Sequence, residues 1–180
     1  MNLPNKLTVL RVLLVPVFMA VLLLWNRYVA LAIFILASLT DFVDGKIARS
    51  RGLVTNFGKF MDPLADKLLV LSAMVIFVQE GRMPCWVCMV VIARELAVSG
   101  LRMVAASEGV IMAAGWSGKI KTACTMVGLC VMMVPKVADI SLFGSFTVNT
   151  LMWIVILATT LISGIEYFAK NGSVLLKEKI

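Results

Sequence analysis

Six long apolar runs, separated by short polar breaks, are the feature that most restricts what this chain can fold into. They cover residues 7–25, 28–40, 64–79, 83–106, 110–135 and 146–168. A helix that crosses the hydrocarbon core of a bilayer needs about 20 mostly apolar residues, so these runs predict six transmembrane helices. Nothing between Asp41 and Arg49 breaks a helix, and we therefore expect the second helix to continue as a polar end to about Ser50.

The composition agrees with an all-α integral membrane protein. Of the 180 residues, 61% are hydrophobic and 15% are charged, which lies outside the range of soluble domains. No internal repeat or linker divides the chain, so residues 1–180 are expected to form one membrane domain without a separate soluble catalytic domain. The first run is longer than the apolar core of a signal peptide and lacks a small-residue cleavage site, so we interpret it as a retained first helix.

Basic residues alternate between the two ends of the expected helices. Only Arg27, Arg82 and Lys136 lie in the three connections on one side, whereas both termini and the other connections carry many more. Because basic residues concentrate on the cytoplasmic side of membrane proteins, this asymmetry predicts that both termini and the active site face the cytoplasm. The net charge of +7 is typical of a protein that meets anionic lipid or phosphate, and no nucleic-acid partner is expected.

Four of the ten acidic residues lie within 26 positions, at Asp41, Asp44, Asp62 and Asp66. A carboxylate at membrane depth is costly, so it indicates a functional site. Each pair falls on one face of its helix, if the second of these helices is continuous. Pro63 leaves two possibilities: either that helix begins there with Asp62 as its N-cap, or it enters earlier and bends.

Two carboxylate pairs on consecutive helices make a set of oxygen ligands suited to Mg2+, which proteins commonly share with substrate phosphates. The chain has no histidine, which excludes histidine general acid–base chemistry and the commonest metal ligand. Two other interpretations exist. The aspartates could form plain salt bridges with Lys46, Arg49, Lys59 and Lys67. This alternative leaves nearby glycines and an alanine unexplained. They could also form the ion relay of a small cation-coupled transporter, although they lie toward one side of the membrane.

The spacing of these residues resembles the signature of the CDP-alcohol phosphotransferase family at every fixed position. The matching residues are Asp41, Asp44, Gly45, Ala48, Arg49, Gly58, Asp62 and Asp66. The resemblance covers nearly the whole chain and implies a six-helix membrane domain that commonly forms homodimers. It also implies transfer of a phosphoalcohol from a CDP-linked donor to an alcohol, with release of CMP and with Mg2+ or Mn2+ as cofactor.

The resemblance assigns roles residue by residue. Asp41, Asp44 and Asp62 would hold the metal, and Asp66 would contribute to the metal site and act as general base. A larger set would line the site of the CDP donor, with the first two members assigned more weakly: Asn5, Thr8, Gly45, Ala48, Arg49, Thr55 and Gly58.

A second basic group, Arg94, Arg102, Lys119 and Lys121, bears on the acceptor. Four additional cations favour a phosphorylated acceptor, because guanidinium and ammonium groups bind phosphate oxygens. Arg94 and Arg102 can share a helix face, whereas Lys119 and Lys121 are about 200° apart on a regular helix. Alternatively, Arg102, Lys119 and Lys121 serve only membrane topology. This alternative does not account for Arg94, which lies within an apolar run.

Segments 60–67, 93–102 and 118–122 resemble the bacterial branch of the family whose acceptor is sn-glycerol 3-phosphate. This resemblance implies that the four cations bind the acceptor phosphate. It further implies that the phosphatidyl group comes from CDP-diacylglycerol and that the protein lies in the cytoplasmic membrane of a bacterium. Family members that make cardiolipin, phosphatidylinositol phosphate or phosphatidylserine are the nearest alternatives.

Overall fold

A computed structural model describes the backbone of residues 3–50, 56–107 and 115–171. Side chains are described for residues 9–40, 64–65, 67–106 and 115–171. Seven helices and one short hairpin are found in this part of the chain. In order, they are α1 (Leu3–Leu24), α2 (Arg27–Ser50), α3 (Asn56–Gln79), α4 (Cys85–Ser107), α5 (Trp116–Met132), α6 (Pro135–Ala138), β1 (Ser141–Phe143), β2 (Phe146–Thr147) and α7 (Val148–Asn171).

The six long helices coincide with the six apolar runs. The expected polar extension of the second helix is confirmed, because α2 ends at Ser50. The structure also decides between the two possibilities for Pro63: α3 begins at Asn56, seven positions earlier. Helix α5 begins at Trp116 after an extended Gly115, and the earlier start expected at residue 110 falls outside the described residues.

The sequence interpretation did not anticipate α6 or the antiparallel hairpin of β1 and β2, in which Ser141 pairs with Thr147 and Phe143 with Phe146. Pro135 begins α6, where its missing N–H costs no helical hydrogen bond, and Gly144 has the positive φ of +56° that the hairpin turn requires. These elements fill the connection before α7, which the apolar pattern left as a simple loop.

Among the described helices, α7 alone is long and apolar enough to cross a membrane by length and composition. Shorter apolar helical stretches cover Val9–Leu24, Arg27–Thr40 and Lys67–Gln79. Each of these three stretches begins or ends where the described side chains do, so it covers only part of its helix. Six spans and the location of the termini therefore stay predictions.

The buried core is aromatic and aliphatic and lies between the long helices. Phe18 of α1 packs against Phe34 of α2 with ring centroids 5.8 Å apart, and Phe77 of α3 is fully buried beside them. On the other side of the core, Gly128 of α5 brings that helix close to Ile156 of α7. Close helix contact at a glycine is common in membrane bundles, because a small residue lets the backbones approach.

One group of charges joins several connections at one end of the helices. We call it the balanced cluster, and its members are Arg27, Glu80, Arg82 and Asp139. Arg27 at the start of α2 pairs with Glu80, just after α3. Arg82 lies 3.0 Å from the Asp139 carboxylate, and its carbonyl oxygen accepts a 2.6 Å hydrogen bond from Asn149 of α7. The cluster has two bases and two acids, and it holds α2, α3, α6 and α7 together at this end.

Candidate functional site

A second group of charges lies between α3, α4, α5 and α7. We call it the cationic cluster, and its members are Lys67 on α3, Arg94, Glu95 and Arg102 on α4, and Lys121 on α5. Helix α4 supplies three of the five side chains, because positions 94, 95 and 102 fall on neighbouring parts of its surface.

Glu95 is the carboxylate on which three cations of this cluster converge. Its Oε1 atom accepts a 2.9 Å hydrogen bond from Nη1 of Arg94 and a 2.6 Å hydrogen bond from Nζ of Lys121. Its Oε2 atom lies 3.8 Å from Nζ of Lys67. The Lys121 side chain is only 7% exposed, and a charge so far from water requires a partner. Glu95 therefore holds together cations from three helices.

Ser99 extends this network by one turn of α4. Its hydroxyl donates a 2.7 Å hydrogen bond to the backbone carbonyl of Glu95, as serines in helices commonly do, and accepts a hydrogen bond from Lys67. Lys67 is thus fixed between the carboxylate of Glu95 and the hydroxyl of Ser99. Its ammonium group therefore faces α4.

Arg102 is held from the other side, by α7. Its Nε atom donates a 3.1 Å hydrogen bond to the hydroxyl of Tyr167, and its guanidinium carbon lies 5.3 Å from the centroid of the same ring. A guanidinium group over an aromatic face is attracted to the ring electrons. The rest of the Arg102 side chain is exposed and borders the cavities described next.

Two adjoining cavities open at the cationic cluster and share Lys67, Glu95, Arg102 and Thr122 in their walls. The cavity that also contains Lys121 has a volume of about 230 Å³ and an apolar floor from α3, α4 and α5. The other cavity, of about 490 Å³, also borders Arg94. Counted over the side chains that the structure describes, four cations against one carboxylate give a formal charge of +3 around this space, which suits a phosphate dianion.

The structure brings together three of the four residues predicted to bind the acceptor phosphate, Arg94, Arg102 and Lys121. The fourth, Lys119, is exposed, and its ammonium group lies 4.9 Å from the ring centroid of Trp116. It borders the larger cavity but not the one that contains Lys121. The two lysines therefore occupy different parts of the α5 surface, as their angular separation predicts.

The backbone places the four aspartates at matching depths of two consecutive helices. Asp41 and Asp44 precede the end of α2 by about 13 and 9 Å, and Asp62 and Asp66 follow the start of α3 by about 9 and 15 Å, at 1.5 Å per residue. Four carboxylates so distributed fit the oxygen ligands that a hard divalent cation requires. Their side chains lie outside the described set, so the metal ligands stay a prediction.

Among the side chains that the structure describes, no group of three acidic or cysteine residues could hold a metal ion. The predicted donor-site residues also lie outside the described side chains. Their helices are nevertheless known: Asn5 and Thr8 belong to α1, Gly45, Ala48 and Arg49 to α2, and Gly58 to α3. Thr55 falls in the segment 51–55, which the structure does not describe.

The sequence interpretation missed four members of this network: Lys67, Glu95, Ser99 and Tyr167. Glu95 had a usable signal, because an acidic residue within an apolar run requires a cationic partner. Lys67 was weighed only as a partner of the aspartates, whereas the structure pairs it with Glu95. Tyr167 had no local signal, since the arginine it contacts lies 65 positions away in the sequence.

The amino-acid sequence is similar to those of known proteins. The family model described as CDP-alcohol phosphatidyltransferase matches residues 1–166. A Bacillus subtilis (strain 168) protein named CDP-diacylglycerol–glycerol-3-phosphate 3-phosphatidyltransferase is 43% identical over 189 aligned positions, covering 97% of each chain. A Mycobacterium tuberculosis protein named probable phosphatidylglycerophosphate synthase is 37% identical, covering 94% of this chain and 81% of its own length.

An Escherichia coli (strain K12) protein that carries the same name as the Bacillus relative is 42% identical over 136 positions. The match covers 71% of this chain and 74% of the relative. The similarity thus extends across bacterial groups and over most of the chain in each case. The two longer matches include the helices of this chain that carry the cationic cluster.

Proposed function

The chain belongs to the CDP-alcohol phosphatidyltransferase family, and from this we infer that it transfers the phosphatidyl group of CDP-diacylglycerol to sn-glycerol 3-phosphate. The products are phosphatidylglycerophosphate and CMP, so the protein is a transferase of phospholipid biosynthesis. The observation that carries this conclusion is the 43% identity, over 97% of both chains, to a relative named for that reaction.

The cationic cluster supports the choice of acceptor. A neutral acceptor such as serine needs no excess of positive charge, whereas glycerol 3-phosphate presents a dianionic group that several cations can share. Arg94, Arg102 and Lys121 bind this phosphate, and Lys119 at the rim attracts it electrostatically. Glu95 keeps Arg94 and Lys121 on one side of the cavity, so that the acceptor meets them already oriented.

The donor lies nearer the aspartates. Asp41, Asp44, Asp62 and Asp66 would hold Mg2+ or Mn2+, and the metal would supply positive charge against the donor pyrophosphate and the departing CMP. The CDP group is bound by residues of α1, α2 and the start of α3: Asn5, Thr8, Gly45, Ala48, Arg49, Thr55 and Gly58. The glycines and the alanine leave room for a ligand against the backbone, and Arg49 meets a phosphate.

Asp66 removes the proton from the attacking hydroxyl of the acceptor. It lies one residue before Lys67, so the proposed base and the cationic cluster are joined through α3. The expected result of Asp66→Asn is loss of turnover with much of the CDP-donor binding retained, because the amide keeps the size of the side chain but accepts no proton. Measured turnover near that of the wild type would remove Asp66 from this role.

The same proposal includes the membrane arrangement. The six long helices span the cytoplasmic membrane of a bacterium with both termini and the active site at the cytoplasmic face, and the chain acts as a homodimer. The distribution of basic residues supports the orientation, and the large apolar side chains exposed on the helices support lipid contact: Leu13, Leu24, Met103, Ile162 and Ile165 among them.

An acceptor panel tests the proposed reaction. The purified protein is incubated with CDP-diacylglycerol, Mg2+ or Mn2+, and glycerol 3-phosphate, serine or inositol phosphate, and both CMP release and the lipid product are followed. We expect CMP and phosphatidylglycerophosphate only with glycerol 3-phosphate. CMP released with serine or inositol phosphate instead would overturn the acceptor, and no CMP with any acceptor from folded protein would overturn the enzymatic function.

A further inference from the structure

Two residues of α7 contact the arginines of the cationic cluster but border neither of its two cavities. They are Gly164 and Tyr167, which lie three positions apart and are both buried against α4. Gly164 lies beneath the side chain of Arg94, and Tyr167 lies beneath that of Arg102. The contacts follow the same order along both helices, so α7 forms a wall behind the arginine face of α4.

The contact at Gly164 depends on the absence of a side chain. A Cβ atom at this position would lie 3.2 Å from Cγ of Arg94, which is closer than ordinary van der Waals contact between carbon atoms. Arg94 is also constrained at its far end, where Nη1 donates to Glu95. Its Nε atom is buried without a hydrogen-bond partner. A methyl group at position 164 would therefore move Arg94 while its far end remains tied to Glu95.

The contact at Tyr167 combines two interactions with Arg102. The hydroxyl accepts the hydrogen bond from Nε, and the ring lies under the guanidinium group. A long exposed side chain loses considerable rotamer entropy when a ligand fixes it, so a side chain that is already held binds an anion at lower cost. With Nε directed to Tyr167, the two terminal nitrogens of Arg102 are left to serve the cavity side.

We propose that Gly164 and Tyr167 are positioning residues for the acceptor phosphate, and that α7 acts by fixing the side chains of Arg94 and Arg102. The proposal rests on the acceptor pocket of the proposed function and extends it to a helix that carries none of the residues assigned to that pocket. It predicts that changes at these two α7 positions alter acceptor binding alone and act only through the arginines.

The first test compares two glycine-to-alanine variants whose new contacts are both tighter than ordinary van der Waals contact, at 3.2 Å for position 164 and 3.0 Å for position 128. Gly164→Ala should raise the KM for glycerol 3-phosphate about fivefold and leave the KM for CDP-diacylglycerol within twofold. Gly128→Ala is the matched control, because its new Cβ would lie 3.0 Å from Cδ1 of Ile156 in the apolar contact between α5 and α7. That control should lower thermal stability and leave both KM values unchanged.

The second test separates the hydroxyl of Tyr167 from its ring. Tyr167→Phe keeps the ring under the guanidinium group and removes the acceptor of the Nε hydrogen bond. We expect the KM for glycerol 3-phosphate to rise about tenfold, the size of one hydrogen bond to a charged group. Tyr28→Phe, at an exposed tyrosine near the start of α2, is the control and should change neither KM.

Double variants then determine whether α7 acts through the arginines. In an Arg94→Ala background, Gly164→Ala should add nothing further to the KM for glycerol 3-phosphate, and Tyr167→Phe should add nothing in an Arg102→Ala background. Additive effects would overturn the proposal, as would single α7 variants with unchanged KM values. If Arg94→Ala and Arg102→Ala themselves leave this KM unchanged, the assignment of these arginines to the acceptor pocket is wrong. That result differs from failure of the α7 proposal, in which the arginine variants raise the KM and the α7 variants do not.

Discussion

The cationic cluster and the balanced cluster are both groups of charges that join helices, yet they differ in two respects. In the balanced cluster, two bases meet two acids, and Arg82 is further tied through its carbonyl to Asn149. Among the described side chains of the cationic cluster, there are four bases and one carboxylate, three of the bases contact that carboxylate, and two cavities adjoin the group. A buried charge without its own counter-ion is costly, so the excess of bases indicates a ligand that supplies the missing negative charge.

The two clusters differ in what explains their charges. Pairs that neutralise one another can be explained by packing alone, as in the balanced cluster. The cationic cluster stays positively charged after its internal pairs are formed, and it borders a cavity. An anionic ligand in that cavity explains the remaining charge. Substitutions in the two clusters should therefore have different consequences, with acceptor binding changed in one and stability changed in the other.

The largest effect is expected from Lys121→Met in the cationic cluster. The substitution keeps the aliphatic stem but removes the buried ammonium group that contacts Glu95 and borders the smaller cavity. We expect kcat/KM for glycerol 3-phosphate to fall about 100-fold, because a hydrogen bond to a charged group and one phosphate contact are lost together. Steady-state kinetics with each substrate varied in turn measures this loss of kcat/KM.

Lys136→Met is the control for this variant, since Lys136 is exposed at the end of the molecule that holds the balanced cluster. It should leave kcat/KM unchanged. An equal loss in both variants, or a Lys121→Met enzyme whose KM for CDP-diacylglycerol rises as much as that for glycerol 3-phosphate, would return Lys121 to a role in topology or general folding.

A smaller effect is expected from Glu95→Gln, which tests whether the shared carboxylate orients the cations. The amide keeps one oxygen as acceptor but loses the charge that holds Arg94 and Lys121 together. We expect the KM for glycerol 3-phosphate to rise about tenfold with a smaller change in stability. If Glu95→Gln lowers the melting temperature and leaves this KM unchanged, Glu95 is a structural ion pair like those of the balanced cluster.

Glu80→Gln in the balanced cluster is expected to leave acceptor binding unchanged. Removing this charge leaves Arg27 without its partner at a partly buried position. We expect a loss of about 1–2 kcal/mol in the free energy of unfolding, allowing for partial exposure, and unchanged KM values for both substrates. Thermal unfolding in detergent and acceptor kinetics on the same preparation provide the two readings. A raised KM for glycerol 3-phosphate would break the distinction between the clusters.

Much of the fold followed from the sequence because hydrophobic runs and helix propensity are local properties. The six long helices and the extension of α2 to Ser50 came from such patterns. The start of α3 at Asn56 could not be decided, because a proline near the first turn is compatible with both a helix start and a bend. The hairpin before α7 was missed because its strands have only three and two residues, too short for a periodic pattern.

The site was predictable to the extent that charge in an apolar run is unusual. Arg94 was predicted on that ground, and Arg102, Lys119 and Lys121 were predicted as the basic residues nearest to it on the same and the next apolar run. Their packing was not predictable, because it depends on contacts between helices that are distant in sequence. Tyr167 is aromatic in an apolar helix and Gly164 is one of many small residues, so neither differs from ordinary core residues until the helices are assembled.

Binding of glycerol 3-phosphate to the protein without donor tests the central claim most directly. The measurement is titration calorimetry of wild-type protein in detergent with glycerol 3-phosphate, inorganic phosphate and glycerol, repeated with Lys121→Met and Glu80→Gln. We predict that glycerol 3-phosphate binds, that inorganic phosphate competes with it, and that glycerol does not bind. Of the two variants, only Lys121→Met should abolish the heat of glycerol 3-phosphate binding. Binding that survives Lys121→Met, or that inorganic phosphate cannot displace, would contradict the assignment of the cationic cluster to the acceptor phosphate.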